Sequence, residues 1–152
     1  MKQAEILARV ADRERGSTLV LTIGFAAFAI VVTLVVAAAT SLYIERKRLL
    51  GLADSAALVG AEAFDLAAVE PDPDGGVSVR LDAGAVEEAV DGFVADVGTS
   101  RFDRLRIESA TTLDGRSATV TLSSAWSPPV LTLLLPEGIR LDATSTARAV
   151  LQ

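Results

Sequence analysis

The chain has 152 residues, a formal net charge of −6, no Cys and no His. That excludes disulfides, Cys/His zinc sites and histidine acid–base chemistry. The charge is uneven: Met1 to Leu50 holds seven Lys or Arg against four Asp or Glu, whereas Gly51 to Gln152 holds seven against sixteen. So acidic a C-terminal portion is repelled by phosphate backbones, and nucleic acid is not an expected partner.

Residues 1–16 carry Lys2, Arg9, Arg13 and Arg15 and are expected to form a short cytoplasmic N-terminal segment. From Ser17 to Ile44 no charge occurs. As a helix rising about 1.5 Å per residue, residues 17–44 would reach roughly 42 Å, beyond the ~30 Å hydrocarbon core of a bilayer. Three readings compete: a transmembrane helix, a cleaved signal peptide with Ala37-Ala38-Ala39 imitating its cut site, and a buried core helix. Length favours the first, because the apolar part of a signal peptide is about 7–15 residues. Arg46, Lys47 and Arg48 close the run and suit lipid headgroups. The basic count favours an N-terminus in the cytoplasm and an extracytoplasmic C-terminal domain. Within the run, Ala37 and Ser41 form a small-xxx-small pair of the kind that lets helices approach closely in lipid.

The helix is expected to continue over 45–69. Ala53, Ala56, Ala57, Gly60, Ala61 and Phe64 recur at helical spacing and make one narrow face. Small side chains cannot build a large core alone, but they permit close packing against a domain or neighbouring subunits. Asp54 has Leu50, Gly51, Ala57 and Leu58 as its neighbours at three and four residues, none of them a charge partner. It is either a solvated carboxylate or a registry device meeting an Arg of another subunit.

Arg15-Gly16-Ser17, the apolar run, the stretch from Tyr43 to Leu50 and the segment Ala53-Asp54-Ser55-Ala56-Ala57-Leu58-Val59-Gly60-Ala61 together resemble the N-terminal part of TadE/TadG-like proteins. These belong to the tight-adherence (Tad, or Flp) pilus assembly system of bacteria. The resemblance implies a pseudopilin-like or accessory component of a type IV pilus or related secretion machine, anchored in the inner membrane with its C-terminal part outside the cytoplasm. It also implies, as partners, membrane lipid, other pilus or secretion components and copies of the chain itself. The assembly contacts would fall at Ala53, Asp54, Ala57, Gly60 and Ala61. A prepilin-type cut would fall after Gly16. Leu21 stands where such substrates carry Glu, which leaves cleavage open.

The remaining residues, 70–152, read as one extracytoplasmic α+β domain. Glu70-Pro-Asp-Pro-Asp-Gly-Gly76 is a breaker cluster and reads as a loop. Its acids do not meet the spacing of a calcium loop, since Ala83 falls where the closing Glu is needed. Val77 to Leu81 alternates and predicts a short strand. Asp82 is placed to cap a helix whose apolar face is Val86, Val90, Phe93, Val94 and Val97, ending at Gly98. Leu105, Ile107 and Ser109 predict one face of a second strand, and Asp114-Gly115 signals a hairpin. Ala118, Val120, Leu122, Ser124 and Trp126 predict the inner face of the return strand. In the last strand Ile139, Leu141, Ala143, Ser145, Ala147 and Ala149 alternate against Arg140, Asp142, Thr144, Thr146 and Arg148. A slip of one residue there would bury two arginines, which fixes the register.

The expected architecture is a long N-terminal helix followed by a pilin-like head, in which a three- to four-stranded antiparallel sheet is packed by one helix. Val130 to Leu135, bounded by prolines, is either a buried plug at a sheet edge or an exposed contact. Catalysis is not expected: both lysines flank the apolar run, the carboxylates lie on polar faces and in loops, and no Gly-rich phosphate loop follows a strand. No cofactor is expected. The leading reading is a structural or assembly component. The alternative is a membrane-tethered extracytoplasmic binding module unrelated to pili.

Overall fold

The computed structural model describes residues 2–64, 69–71, 77–97, 101–127 and 138–149, with side chains over 18–64, 79–97, 101–127 and 138–149. In chain order the elements are α1 (Lys2–Glu62), β1 (Val69–Pro71), β2 (Val77–Val79), α2 (Ala83–Val97), β3 (Asp103–Thr112), β4 (Ser117–Trp126) and β5 (Ile139–Arg148). The class is α+β, as expected. Two compact units result, Met1–Thr40 and Ser41–Gln152.

The first unit is entirely α1. None of its described side chains is buried. Leu21 is 73% exposed and Phe25 72%, values normal for a side chain with no protein neighbour. The threonines in this stretch turn their hydroxyls back to the helix: Thr22 donates to the Thr18 carbonyl at 2.8 Å, Thr33 to Ala29 at 2.8 Å and Thr40 to Val36 at 2.9 Å. Each of these three hydroxyls is thereby satisfied within the helix.

In the second unit the same helix changes role. Leu49, Ala53, Ala56, Ala57 and Ala61 are at most 1% exposed. They join Leu81, Val86, Val90, Val94, Ala118, Val120, Leu122 and Ala143 in one core. A Cβ on Gly60 would lie 3.1 Å from Val86 Cγ1 and 3.2 Å from both Ala118 Cβ and Val90 Cγ2, so glycine is what lets α1 approach α2 and β4 this closely. At the other end, Trp126 Nε1 donates to Ser41 Oγ at 3.3 Å. From Ser41 to Gly60 a helix rises roughly 29 Å, and from Trp126 back to Ala118 a strand spans roughly 26 Å. The matched lengths mean that this part of α1 runs along β4, antiparallel to it. It ends at Glu62, where Ala63 N donates to the Gly60 carbonyl at 3.3 Å.

The main sheet has the order β3-β4-β5, antiparallel throughout. β4 is its centre. Ala118, Val120, Leu122, Ser124 and Trp126 are buried on the inner face, as their alternation predicts. β5 keeps the expected register, with Ala143 buried and Arg140 and Arg148 exposed. Gly138 enters it at φ 71°, and a Cβ there would meet Ser127 Oγ at 2.6 Å and the Trp126 carbonyl oxygen at 2.8 Å. Asp82 caps α2 as predicted: its Oδ1 accepts from Gly84 N at 2.9 Å and Ala85 N at 3.1 Å.

Five details differ from expectation. α1, expected to continue to residue 69, ends at Glu62, and Val69 opens β1. β3 slips register twice against β4, between Asp103 and Arg106 and between Ile107 and Ser109. The second slip inserts one residue, so Ser109 turns outward and Ala110, opposite Val120, takes the inner face. The first slip holds Arg104 at φ 52°, a left-handed conformation costly for a residue with a Cβ. Val97, expected on the buried face of α2, is 54% exposed. Val77–Val79 does not join the main sheet but pairs with Val69–Pro71, a strand hidden from sequence by Pro71 at its end and Pro73 beyond it. Gly98 and Val130 to Leu135 lie outside the described residues.

Candidate functional site

The candidate assembly residues separate cleanly. Ala53, Ala57 and Ala61 are occupied by the chain's own core, and Gly60 sits against Val86, Val90 and Ala118. Asp54, on the same helix, is exposed. Ser55 beside it is exposed as well, with its hydroxyl donating to the Gly51 carbonyl at 3.0 Å. Of the five, Asp54 alone has its side chain in the open. Gly16 lies within α1.

The outward face of the sheet is polar and ordered by cross-strand pairs. Thr119 and Thr146 hydroxyls lie 3.0 Å apart, as do those of Thr121 and Thr144. Next along the strands, Ser123 Oγ donates to Glu108 Oε1 at 2.5 Å. Arg140 reaches Glu108 at 3.1 Å and Asp142 at 2.9 Å. The Ser123 hydroxyl, then the Arg140 guanidinium, hold the Glu108 carboxyl below its ordinary value against the opposing effect of burial. Asp142, then Glu108, raise the Arg140 guanidinium. The network ties three strands together and explains why Ser123, on the outer face, is only 4% exposed. Both carboxylates are held by a permanent cation, an arrangement suited to fixing a surface rather than moving a proton.

The two ends of the sheet are both basic. At the β3–β4 turn, Asp114 Oδ1 accepts from Arg116 N at 2.9 Å and Ser117 N at 2.7 Å, and Ser117 Oγ donates to Oδ2 at 2.9 Å. These bonds to the charged form lower the Asp114 carboxyl to about 2. Leu81 N donates to the Gly115 carbonyl at 2.7 Å, which ties the approach to α2 onto this turn. Arg80, Arg116 and Arg148 surround a cavity of about 530 Å³ there. At the opposite end, Arg104, Arg106 and Arg140 border one of about 280 Å³. Near it, a groove of about 630 Å³ lies between α1 and α2, with Arg48 and Arg101 at its sides.

No group of three or more metal-ligating side chains occurs among the described residues. The expected acidic loop bears on this only in part, since Glu70 lies in β1 and residues 72–76 are outside the description. What the sequence did not reveal is the Trp126–Ser41 contact and the convergence of Arg48 with Arg101, each pairing residues far apart in the chain.

Thr18 to Glu62 contains a stretch long and apolar enough to cross a membrane. No curated protein and no solved structure matches the chain. Residues 16–63, which span the apolar run and the Ala/Gly face but less than half of the chain, match the family model described as "Putative Flp pilus-assembly TadE/G-like".

Proposed function

We propose that this chain is a membrane-anchored structural component of a Tad (Flp) pilus or a related secretion machine, resembling a minor pseudopilin. In this reading α1 crosses the cytoplasmic membrane once. Residues 1–16 lie in the cytoplasm and the head lies outside it, facing other pilus components. One observation carries the proposal: a single helix has its large side chains exposed from Leu19 to Val36 and buries one face in a folded head from Leu49 to Ala61. A bare apolar stretch of that length is unstable in water, and burial of each large apolar side chain in lipid contributes about 1.5–3 kcal/mol. The family match over residues 16–63 supports the pilus context.

The head offers surfaces and not a reaction centre. Among the described residues its carboxylates are solvated, tied to Arg140, or, as Asp82 and Asp114, engaged with backbone amides, and both lysines precede Leu49. Asp54 is the registry residue of this proposal: an exposed carboxylate beside a buried helix face, open to an Arg of a neighbouring component. Isolation of the full chain from native membranes tests both parts. The expected result is retention through a carbonate wash and recovery of pilus components, with recovery reduced by Asp54→Asn. Release by carbonate removes the anchor, and unchanged recovery with Asp54→Asn removes the registry role.

A further inference from the structure

We propose that the Trp126 end of the head carries a binding site for the phosphate of an anionic phospholipid, held between Arg48 and Arg101. The inference rests on the membrane-anchored reading and adds to it a specific lipid contact.

The Trp126–Ser41 hydrogen bond sets the level of the site. Ser41 is in the last turn of the uncharged run, so the strand end bearing Trp126 lies beside the end of the apolar stretch. Asp103 pairs with Ala125, and Trp126 pairs with Ile139, so the start of β3 and the start of β5 share that level. Arg101 and Phe102 immediately precede β3 and are brought to the same end. Tyr43, 67% exposed, and Ile139, 41% exposed, lie there too. An aromatic side chain with a polar tip at this height is the usual occupant of a membrane–water interface.

The groove between α1 and α2 takes in Arg48 on α1 and Arg101 just before β3. Leu52, Phe93, Val97 and Phe102 form an apolar lining, and Arg48 and Arg101 supply the charge. Arg48 follows Ile44 by four residues, or roughly 6 Å along the helix, within the headgroup layer of about 5–8 Å on each side of the hydrocarbon. Both arginines are exposed. Arg48 approaches Glu45 only at 3.7 Å, and no ion pair engages Arg101 among the described residues. Asp103 is the nearest acid in sequence to Arg101 and is exposed. Arg46 and Lys47 add charge on the same turn of α1, and Arg104 and Arg106 add it on β3.

Two exposed guanidiniums at the level of the headgroups match the phosphate of a phospholipid in the bilayer surface, while Leu52, Phe93 and Phe102, packed against the core, form the wall behind them. A peptide carboxylate would have to compete with the bilayer surface at the same height. Guanidinium forks suit phosphate oxygens, and each basic residue near an anionic membrane contributes about 1 kcal/mol, or about fivefold in affinity.

The test places the full chain in nanodiscs of phosphatidylcholine containing graded phosphatidylglycerol, extracts it gently, and counts retained lipid by native mass spectrometry. The expected result is selective retention of phosphatidylglycerol, reduced about fivefold by Arg101→Gln and again by Arg48→Gln. Arg148→Gln removes the same charge from the far end of the sheet and is expected to change nothing. Equal loss with Arg148→Gln overturns the site, because charge alone then explains retention. Release of the lipid by millimolar inorganic phosphate overturns the lipid as its source. Incorporation into nanodiscs without preference for phosphatidylglycerol overturns the inference while leaving the anchor intact. Failure to enter nanodiscs of any composition overturns the anchor, and the inference falls with it.

Discussion

Two stretches of one helix meet opposite surroundings. Between Leu19 and Val36 large side chains such as Leu, Ile and Phe stand exposed on every side. Between Leu49 and Ala61 the buried residues are one leucine, four alanines and Gly60, covered by α2 and the sheet. Large side chains gain most where the surroundings are fluid and adapt to them. Small ones gain where a rigid partner must come close, because packing in a folded interior is set by shape. The composition of each stretch therefore fits what covers it: the chain's own head for the second and, in the proposed function, lipid for the first.

Substitutions that exchange these demands break or sharpen the comparison. The largest effect is expected from Phe25→Arg, which places a charge in the middle of the bare stretch at a cost of about 2.5–3.5 kcal/mol by insertion scales. The carbonate-resistant fraction should fall while the thermal melt of the head stays unchanged. If the melt shifts as well, the bare stretch supports the head after all.

Gly60→Leu is next. It forces side-chain atoms into space already taken by Val86, Val90 and Ala118, and overpacking of that kind costs about 1–3 kcal/mol. The head should melt earlier while membrane retention holds. The same enlargement in the bare stretch, Gly24→Leu, meets nothing within 4 Å and should leave both unchanged. A smaller loss, about 1 kcal/mol, is expected for Trp126→Phe, which deletes the hydrogen bond to Ser41 and keeps most of the ring. Denaturant midpoints measure it, and a value equal to wild type would show that the contact contributes nothing.

The smallest effect is one of pH. Asp114 has its carboxyl lowered in the fold from 3.8 to about 2 by the backbone amides of Arg116 and Ser117. A depressed carboxylate stabilises the fold fully above its unfolded value, and that contribution is lost as pH falls from about 3.8 toward about 2. Asp114→Asn should flatten the acid limb of the stability curve in this window. An unaltered limb would assign acid sensitivity to other groups.

Much of this fold is legible because alternation survives wherever one face of a strand is buried. β4 and β5 show it apart from Ser123, covered by the Glu108–Arg140 network, and Ile139 at the open start of β5, and Asp82 declares its helix by a capping side chain. β3 defeats the pattern for a countable reason: the extra residue between Ile107 and Ser109 exchanges inside and outside partway along. β1 is concealed because its last residue, Pro71, opens a segment that reads as a turn. The Ala/Gly face announces close packing without saying against what, and the answer needs α2 and β4 in place. The site at the Trp126 end is illegible from sequence for the same reason. Ser41 and Trp126 are 85 positions apart, and only the antiparallel course of α1 along β4 brings them together.

The chain has no cysteine, so single cysteines along α1 make the most direct test. Ala27→Cys, Ser55→Cys and Ala57→Cys would be labelled with a water-soluble maleimide in sealed native membranes. Ser55→Cys, on the open side of the head, should react once the extracytoplasmic face is reached. Ala27→Cys should stay silent until detergent dissolves the bilayer. Ala57→Cys should stay silent in detergent and react only when urea unfolds the head. Rapid labelling of Ala27→Cys in intact membranes, or unmasking of Ala57→Cys by detergent alone, would contradict the division of this helix between lipid and protein.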